Sequence, residues 1–468
     1  MHDESKERVS FKGSLGFVLA AAGSAVGLGN IWRFPYLAAK NGGGVFLVVY
    51  IVLALTFGFA LLTSEVAIGR NTKQSPLTAY GKLNKKWAWI GLFAYAVPFL
   101  IMPYYSVIGG WVIKYFVAFA TGHGVEAAQD GYFGDFITGQ YEPIIYMSIF
   151  LIACAVIIYI GVSGGIERSS KIIMPVLLIL VVGISIYSLT LRHTSADGVT
   201  TTGLDGLKVY VVPDFEGMTI TKFFGVFVDA LTQLFFSLSI AMGIMIAYGS
   251  YVPDKSNLVK SINQIEFFDT FVAVLAGVMI IPAVYVFNGT EGMTAGPSLM
   301  FVALPKVFAD MGSIGNVIGT LFFAMVLFAA ITSGISILEA IISSLIDRHE
   351  LSRPKATILE TIFALLIGVF VCFGYNVLYV ELKLPNTAPG GSAQILDVLD
   401  YISNNIMMPV VAIGTCLLVG WVLKPKFVKD EATKNGEKFG RSLLFDIMIK
   451  YVSPALLIIL LLKSFNLL

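Results

Sequence analysis

The stretch Gly23-Ser24-Ala25-Val26-Gly27-Leu28-Gly29-Asn30 lies inside residues 13–32, a run free of Asp, Glu, Lys and Arg. About 20 apolar residues are enough to cross a bilayer as a helix. The run is long enough, yet it carries three glycines within seven residues. Each is poor helix filler, at about 1 kcal/mol relative to alanine. Small residues also let membrane helices pack closely. Taken alone, the stretch admits either a tight helix contact or an interrupted helix.

A second interruption separates the two. Residues 230–253 form another charge-free run, broken by Ser237-Leu238-Ser239-Ile240-Ala241-Met242-Gly243. Among the spans counted below, these two are the first and the sixth. Gly- or Ser-interrupted spans that open both halves of a five-plus-five arrangement point to an inverted repeat with a midplane binding site. Broken backbone at membrane depth is tolerated only where it faces protein or a wet cavity. Free N–H groups at a half-helix start attract a carboxylate, and free C=O groups at a half-helix end attract a cation. The pattern predicts a pocket for an anion-bearing solute and a small cation.

Working outward, the other charge-free runs are 41–64, 87–113, 143–166, 172–191, 270–290, 311–338, 361–380 and 401–423. An eleventh, 451–462, is short, and spans if Lys450 and Lys463 snorkel to opposite interfaces. Leu443 to Lys450 would then extend that helix, with Asp446 and Lys450 paired at i,i+4. The predicted fold is an all-α polytopic membrane protein of about 11 helices, since 20-residue apolar runs exclude a barrel. Its parts are a tail over 1–12, a first repeat over 13–192, a second over 223–423, and span 11 over 442–465.

The composition agrees. The chain has 468 residues, 57% hydrophobic and 13% charged. Soluble domains run at about 45–50% apolar and about 25% charged. That excludes a soluble enzyme, a nucleic-acid binder and a disordered scaffold. The net charge of +1 gives no pull toward polyanions. Cys154, Cys372 and Cys416 sit in apolar stretches without ligand spacing. No zinc motif or paired catalytic carboxylates are found, so no enzyme is expected.

The positive-inside rule sets orientation. With the N-terminus cytoplasmic, the inner segments hold 21 Lys or Arg and the outer segments 7. Eleven spans then put the C-terminus outside. Residues 1–12 are polar, lack a cleavable leader pattern, and read as a cytoplasmic tail.

The run Gly23 to Tyr36, ending Ile31-Trp32-Arg33-Phe34-Pro35-Tyr36 and followed by Asn41-Gly42-Gly43-Gly44, strongly resembles the neurotransmitter:sodium symporter family. The resemblance extends from Arg8 to span 11 and is greatest to the eleven-span bacterial amino-acid members, which share the bacterial leucine transporter fold. It implies sodium-coupled uptake of an amino acid by alternating access, with the bilayer as the surrounding solvent. The 122–141 loop lacks the cysteine pair typical of animal members, so a bacterial inner membrane is the expected location.

The same resemblance implies two Na+ sites. The first falls on Ala25, Asn30, Ser237 and Asp269, together with the substrate carboxylate. The second falls on the Gly23 and Val26 carbonyls and on Ala329, Thr332 and Ser333. Oxygen ligands of this kind suit a hard cation. Asp269 departs from the more common Asn, while Ala273 stands where the bacterial leucine transporter carries a Glu. A carboxylate inside a span is a functional candidate by default. A fixed charge there implies chloride-independent transport, although Tyr50 and Gln233 match residues of the family's anion site. It also makes Asp269 a candidate proton carrier on the return step.

By the same resemblance the substrate pocket is lined by Ser24, Ala25, Gly29, Ile101, Tyr105, Phe236, Ser237, Ser239, Ala241, Met242, Ser333 and Ile337. Gly29 and the Tyr105 hydroxyl would hold the carboxylate. Monoamine carriers place an Asp where this chain has Gly27, so the guest should be an α-amino acid. The slot of Ile101, Ala241, Met242 and Ile337 is apolar and favours a hydrophobic side chain. Arg33 and Asp400 match an outer gate, with Tyr105 and Phe236 as a lid. Arg8 and Asp347 match an inner gate near Tyr251, with Phe11 in place of a usual Trp predicting a looser plug. Glu65 is expected to cap N–H groups of the broken spans. Two rivals remain: a proton-driven carrier with the same pocket, and a non-transporting amino-acid sensor on the same fold.

Overall fold

The computed structural model describes residues 10–195, 198–293, 296–385 and 392–467. Eleven membrane spans account for nearly all of it. Span 1 is a bent pair, Ser14–Ala25 and Gly29–Lys40, with 52° between its halves. Spans 2 to 5 are Gly44–Thr72, Lys85–Ala120, Glu142–Ile160 and Val162–Thr190. Span 6 is Ile220–Ser237, continued after a break by Ile244–Ser250. Spans 7 to 11 are Leu258–Asn288, Gly312–His349, Arg353–Phe373, Ile395–Val422 and Ser442–Ser464. The one sheet among the described residues is a hairpin, Arg192–Thr194 against Thr200–Thr202, between spans 5 and 6.

Each expected span is present, and span 11 does extend back to Ser442 as its flanking residues suggested. The pairing proposed for that extension differs. Asp446 accepts from Lys429 Nζ at 2.7 Å rather than from Lys450. The connecting helix Lys426–Ala432 brings Lys429 there, and it is itself anchored by buried Arg70, whose Nε donates to Glu431 at 2.6 Å.

The lipid-facing and buried spans separate by burial. Spans 4, 5, 9 and 11 leave most of their apolar surface outward, whereas spans 2, 3 and 8 are largely enclosed. Span 8 packs along span 3, span 2 along the second half of span 6, and the first half of span 1 against spans 5, 7 and 8. This enclosure holds the two broken helices at the centre. The methyl-free Gly27 matters here: a Cβ on it would stand 3.0 Å from Ser333 Oγ of span 8. Cys154, Cys372 and Cys416 are all free and buried.

Candidate functional site

The two interruptions differ in width. In span 1 the helix runs through Gly23, Ser24 and Ala25 and unwinds only at Val26, with φ −74° and ψ 85°, to resume at Gly29. The break is thus narrower than the glycine pattern suggested. In span 6 the helix stops at Ser237, and Ser239, Ala241 and Gly243 take positive φ values of 52°, 64° and 71°. Left-handed backbone at two non-glycine residues is strained. Side chains from elsewhere hold it: Ala241 N donates to Glu65 Oε1 of span 2 at 2.7 Å, and Ser239 Oγ donates to the Ser24 carbonyl at 3.0 Å. Glu65 therefore caps the span 6 break, as expected.

Between the breaks lies a cavity of about 180 Å³. Eleven of the twelve residues expected in its wall are there: Ser24, Ala25, Gly29, Ile101, Tyr105, Phe236, Ser237, Ser239, Met242, Ser333 and Ile337. Ala241 is the exception. Its turned backbone aims at Glu65, it is 0% exposed, and it does not line the cavity. The apolar slot is Ile101, Met242 and Ile337, extended by Ile108 and Ile244. The Tyr105 hydroxyl is buried in this wall near Ser333, with no hydrogen bond of good geometry among the described residues.

Beneath the cavity Asn30, Ser237 and Asp269 meet. Asn30 Nδ2 donates to Ser237 Oγ and to Asp269 Oδ1, both at 2.9 Å, and Ser237 Oγ donates to Asp269 Oδ1 at 2.5 Å. Tyr50 reaches Asp269 Oδ2 at 3.4 Å, and Gly27 N donates to Asn30 Oδ1 at 3.2 Å. All of these groups are enclosed by spans 1, 2, 6 and 7. The Ser237 and Tyr50 hydroxyls and the Asp269 carboxylate offer oxygens that suit a hard cation, while the Asn30 amide presents its nitrogen to them and its oxygen to Gly27 N.

Of the other expected set, Ser333 and Gly23 meet across spans 8 and 1, and no hydrogen bond of the Val26 carbonyl with them is present among the described residues. Ser333 Oγ lies 3.1 Å from the Ser24 carbonyl and 3.5 Å from that of Gly23, while Thr332 Oγ1 bonds back to Phe328 O and Ala329 O at 3.0 Å. Ser333 thus bridges spans 8 and 1. Thr332 satisfies its own helix in the way membrane hydroxyls often do. No carboxylate takes part in these contacts.

The expected gates look different from simple ion pairs. Arg33 and Asp400 both border the cavity, yet no ion pair within 4.0 Å joins them. Arg33 lies over the Phe236 ring, 4.8 Å from its centroid. Asp400 instead accepts from Tyr104 at 3.1 Å and from Asn404 Nδ2 at 2.5 Å. The carboxylate is held by spans 3 and 10, and the guanidinium by the span 6 aromatic, so the cavity continues between them.

At the opposite end Arg8 lies outside the described residues. Asp347 accepts from Ser75 N at 2.6 Å. Phe11 is 1% exposed and packs on Phe17, Tyr248 and Tyr251, its N–H bonded to Tyr251 O at 3.0 Å. Phe11 is thus closed in by three aromatic rings.

Sequence reasoning missed a buried ion pair at this end. Glu339 of span 8 is fully buried and accepts from Arg353 at 2.6 and 2.9 Å and from Tyr251 at 2.6 Å. The rule that singled out Asp269 applies equally to Glu339. Asn404, Tyr104, Trp32 and Ile108 were missed too, with Asn404 one helical turn beyond Asp400 as the available signal.

Comparison with known proteins assigns this architecture. Residues 8–124 and 138–467 match the profile of the sodium:neurotransmitter symporter family. The chain belongs to the sodium:neurotransmitter symporter family. Sodium:neurotransmitter symporters are membrane transport proteins, and relatives of this chain are named for sodium dependence. It is 32% identical to an uncharacterised sodium-dependent transporter of Haemophilus influenzae, over 99% of this chain and 100% of that one. It is 26% identical to the human sodium- and chloride-dependent GABA transporter 2, over 91% of this chain and 74% of that one. A crystal structure of MhsT in complex with L-phenylalanine superimposes with a TM-score of 0.84 at 33% identity, covering 98% of this chain and 100% of that chain.

Proposed function

We propose that the protein carries a hydrophobic α-amino acid together with sodium into the cell by alternating access. The observation that carries this is the cavity between two broken helices, floored by the oxygen cluster of Asn30, Ser237 and Asp269. The substrate amino group would meet Ala25 and Ser239. Its carboxylate would meet Gly29 and the buried Tyr105 hydroxyl. A cavity of about 150 Å³ holds a benzene ring, so the space here suits an aliphatic or medium aromatic side chain. L-phenylalanine bound to MhsT supports that size class.

One sodium would sit among Ala25, Asn30, Ser237 and Asp269. Turning the Asn30 amide would bring its oxygen onto the same ion. A second would sit between the Gly23 and Val26 carbonyls and Ala329, Thr332 and Ser333, where the absence of a formal charge favours release once water arrives. Each sodium gains about 2.3 kcal/mol across about 100 mV and about 1.4 kcal/mol from a tenfold gradient. Two ions supply about 7.4 kcal/mol, and a proton carried back outward on each cycle takes about 2.3 kcal/mol of it, leaving about 5.1 kcal/mol, enough for nearly four decades of zwitterion accumulation.

Transport is chloride-independent in this reading, because Asp269 supplies the charge that an anion would otherwise bring. Protonated Asp269 returns the empty carrier. Spans 1–5 and 6–10 form inverted repeats, the N-terminus is cytoplasmic, and the home is a bacterial inner membrane. Counterflow of labelled phenylalanine and leucine in proteoliposomes tests all of this. Uptake should require sodium and survive replacement of chloride by gluconate. Sodium-independent counterflow driven by a pH gradient would make the protein a proton-driven carrier, and no counterflow at all would make it a sensor.

A further inference from the structure

A second cavity lies far from the substrate site, where span 7 begins. It is a groove of about 500 Å³ between the first turns of span 7 and the connection to span 11, bordered by Lys260, Asn263, Gln264, Phe267 and Lys438. Lys260, Asn263 or Gln264, Phe267 and Phe271 recur at helical spacing, so they form one stripe running from the membrane surface into the hydrocarbon.

The polar end of the stripe is basic and has spare capacity. Both lysines are exposed, and neither has a carboxylate within 4.0 Å among the described residues. Glu437 also borders the groove, yet its carboxylate is turned back on its own loop, accepting from Asn435 N at 2.9 Å and Asn435 Nδ2 at 3.2 Å. Neighbouring cations behave differently: Arg441 is committed to Glu266 at 2.8 Å, and Lys73 and Lys434 to Asp254.

The other end is apolar and presented outward. Phe267 is 62% exposed and Phe271 36%, their rings stacked 5.6 Å apart at 15°. A soluble anion would use the lysines and leave this ladder without a partner. A molecule with a negative head and an acyl chain uses both.

We infer that the groove at the start of span 7 is a binding site for an anionic phospholipid, with its phosphate between Lys260 and Lys438 and its first acyl carbons on Phe267 and Phe271. Basic pockets between membrane helices are suited to such headgroups. The site is independent of the amino-acid cavity, and its cytoplasmic placement rests on the charge bias read from the sequence.

The test uses the full-length protein, stripped of lipid in detergent and titrated with phosphatidylglycerol, phosphatidylcholine or inorganic phosphate. Bound lipid is read by native mass spectrometry, and folding by the melting curve. Phosphatidylglycerol should bind in preference to phosphatidylcholine. Its affinity should fall about 30-fold in Lys260→Gln/Lys438→Gln, at one lysine's worth of surface attraction each. It should hold in Lys85→Gln/Lys86→Gln, which removes two exposed lysines elsewhere on the same side. Lys260→Arg/Lys438→Arg should keep the affinity and decides the matter if the Gln pair melts early. Equal losses in both Gln pairs, no loss, no recovery with Arg, equal binding of phosphatidylcholine, or displacement of the lipid by inorganic phosphate would each overturn the site.

Discussion

Glu65 Oε1 accepts the backbone N–H of Ala241 at 2.7 Å, joining span 2 to the unwound segment of span 6. The donor belongs to a residue with φ of 64°, flanked by Ser239 at 52° and Gly243 at 71°. A buried donor left alone costs about 1–3 kcal/mol, so this single acceptor helps to hold the two strained residues, Ser239 and Ala241, in place.

Glu65→Ala should therefore lower the melting temperature in detergent and weaken amino-acid binding together. Glu65→Gln keeps an acceptor and should lie close to wild type in both. Equal behaviour of the two variants in a thermal-shift assay with and without phenylalanine would contradict this role.

Asp269 offers a sharper test of the ion chemistry. Asp269→Asn keeps the size and hydrogen-bonding capacity of the group but removes its charge. Uptake in gluconate medium should fall at least tenfold, and chloride should restore part of it, because an anion near Tyr50 and Gln233 can then replace the lost charge. Sodium titration of uptake in the two media reads this directly.

Among the described residues Arg353 is the one ion-pair partner of Glu339, a fully buried carboxylate. Removing one partner of a buried pair costs about 3–5 kcal/mol. Arg353→Ala should open the Phe11 end, while Glu339→Gln combined with it should recover most of the loss. The three native cysteines are buried, so alkylation of Ser336→Cys reports opening against a low background. Faster labelling in Arg353→Ala, and slower labelling in the double variant, are expected.

Selectivity should follow the cavity wall. Ile337→Val enlarges the slot by one methylene and should shift preference toward bulkier guests by about 10- to 200-fold. Ala241→Gly should leave selectivity unchanged, since Ala241 does not line the cavity, and should raise the melting temperature by relieving positive φ. Competition of labelled phenylalanine by leucine and tryptophan separates the two.

The spans were legible because lipid demands long charge-free runs, and nothing in the interior of those runs contradicts the demand. The existence of both breaks was legible for a similar reason: glycine and serine cluster where helix does not need side chains. Their widths were not. Gly23 and Ser24 remain helical because the first half of span 1 is enclosed by spans 5, 7 and 8, a tertiary fact absent from local sequence.

Ala241 illustrates the second limit. Motif alignment places it beside Met242, but a residue in left-handed backbone turns away from its neighbours, and only the Glu65 contact reveals where. Glu339 was overlooked because attention fell on the apolar run around Thr332-Ser333, which ends a residue before it. Arg353 was counted solely as a charge that sets orientation. Nothing in the spacing of Arg33 and Asp400 shows that Phe236 takes one and Tyr104 with Asn404 the other.

The narrowness of the span 1 break has a mechanical meaning. At about 1.5 Å per residue the helical arm Ser14–Ala25 is about 18 Å long. A swing of about 20° at the Val26 break would carry its Ser14 end, with Phe11 three residues beyond, through about 6 Å. Such leverage would convert a small readjustment around the Gly23 and Ser24 carbonyls into withdrawal of the aromatic stopper at the far side of the molecule.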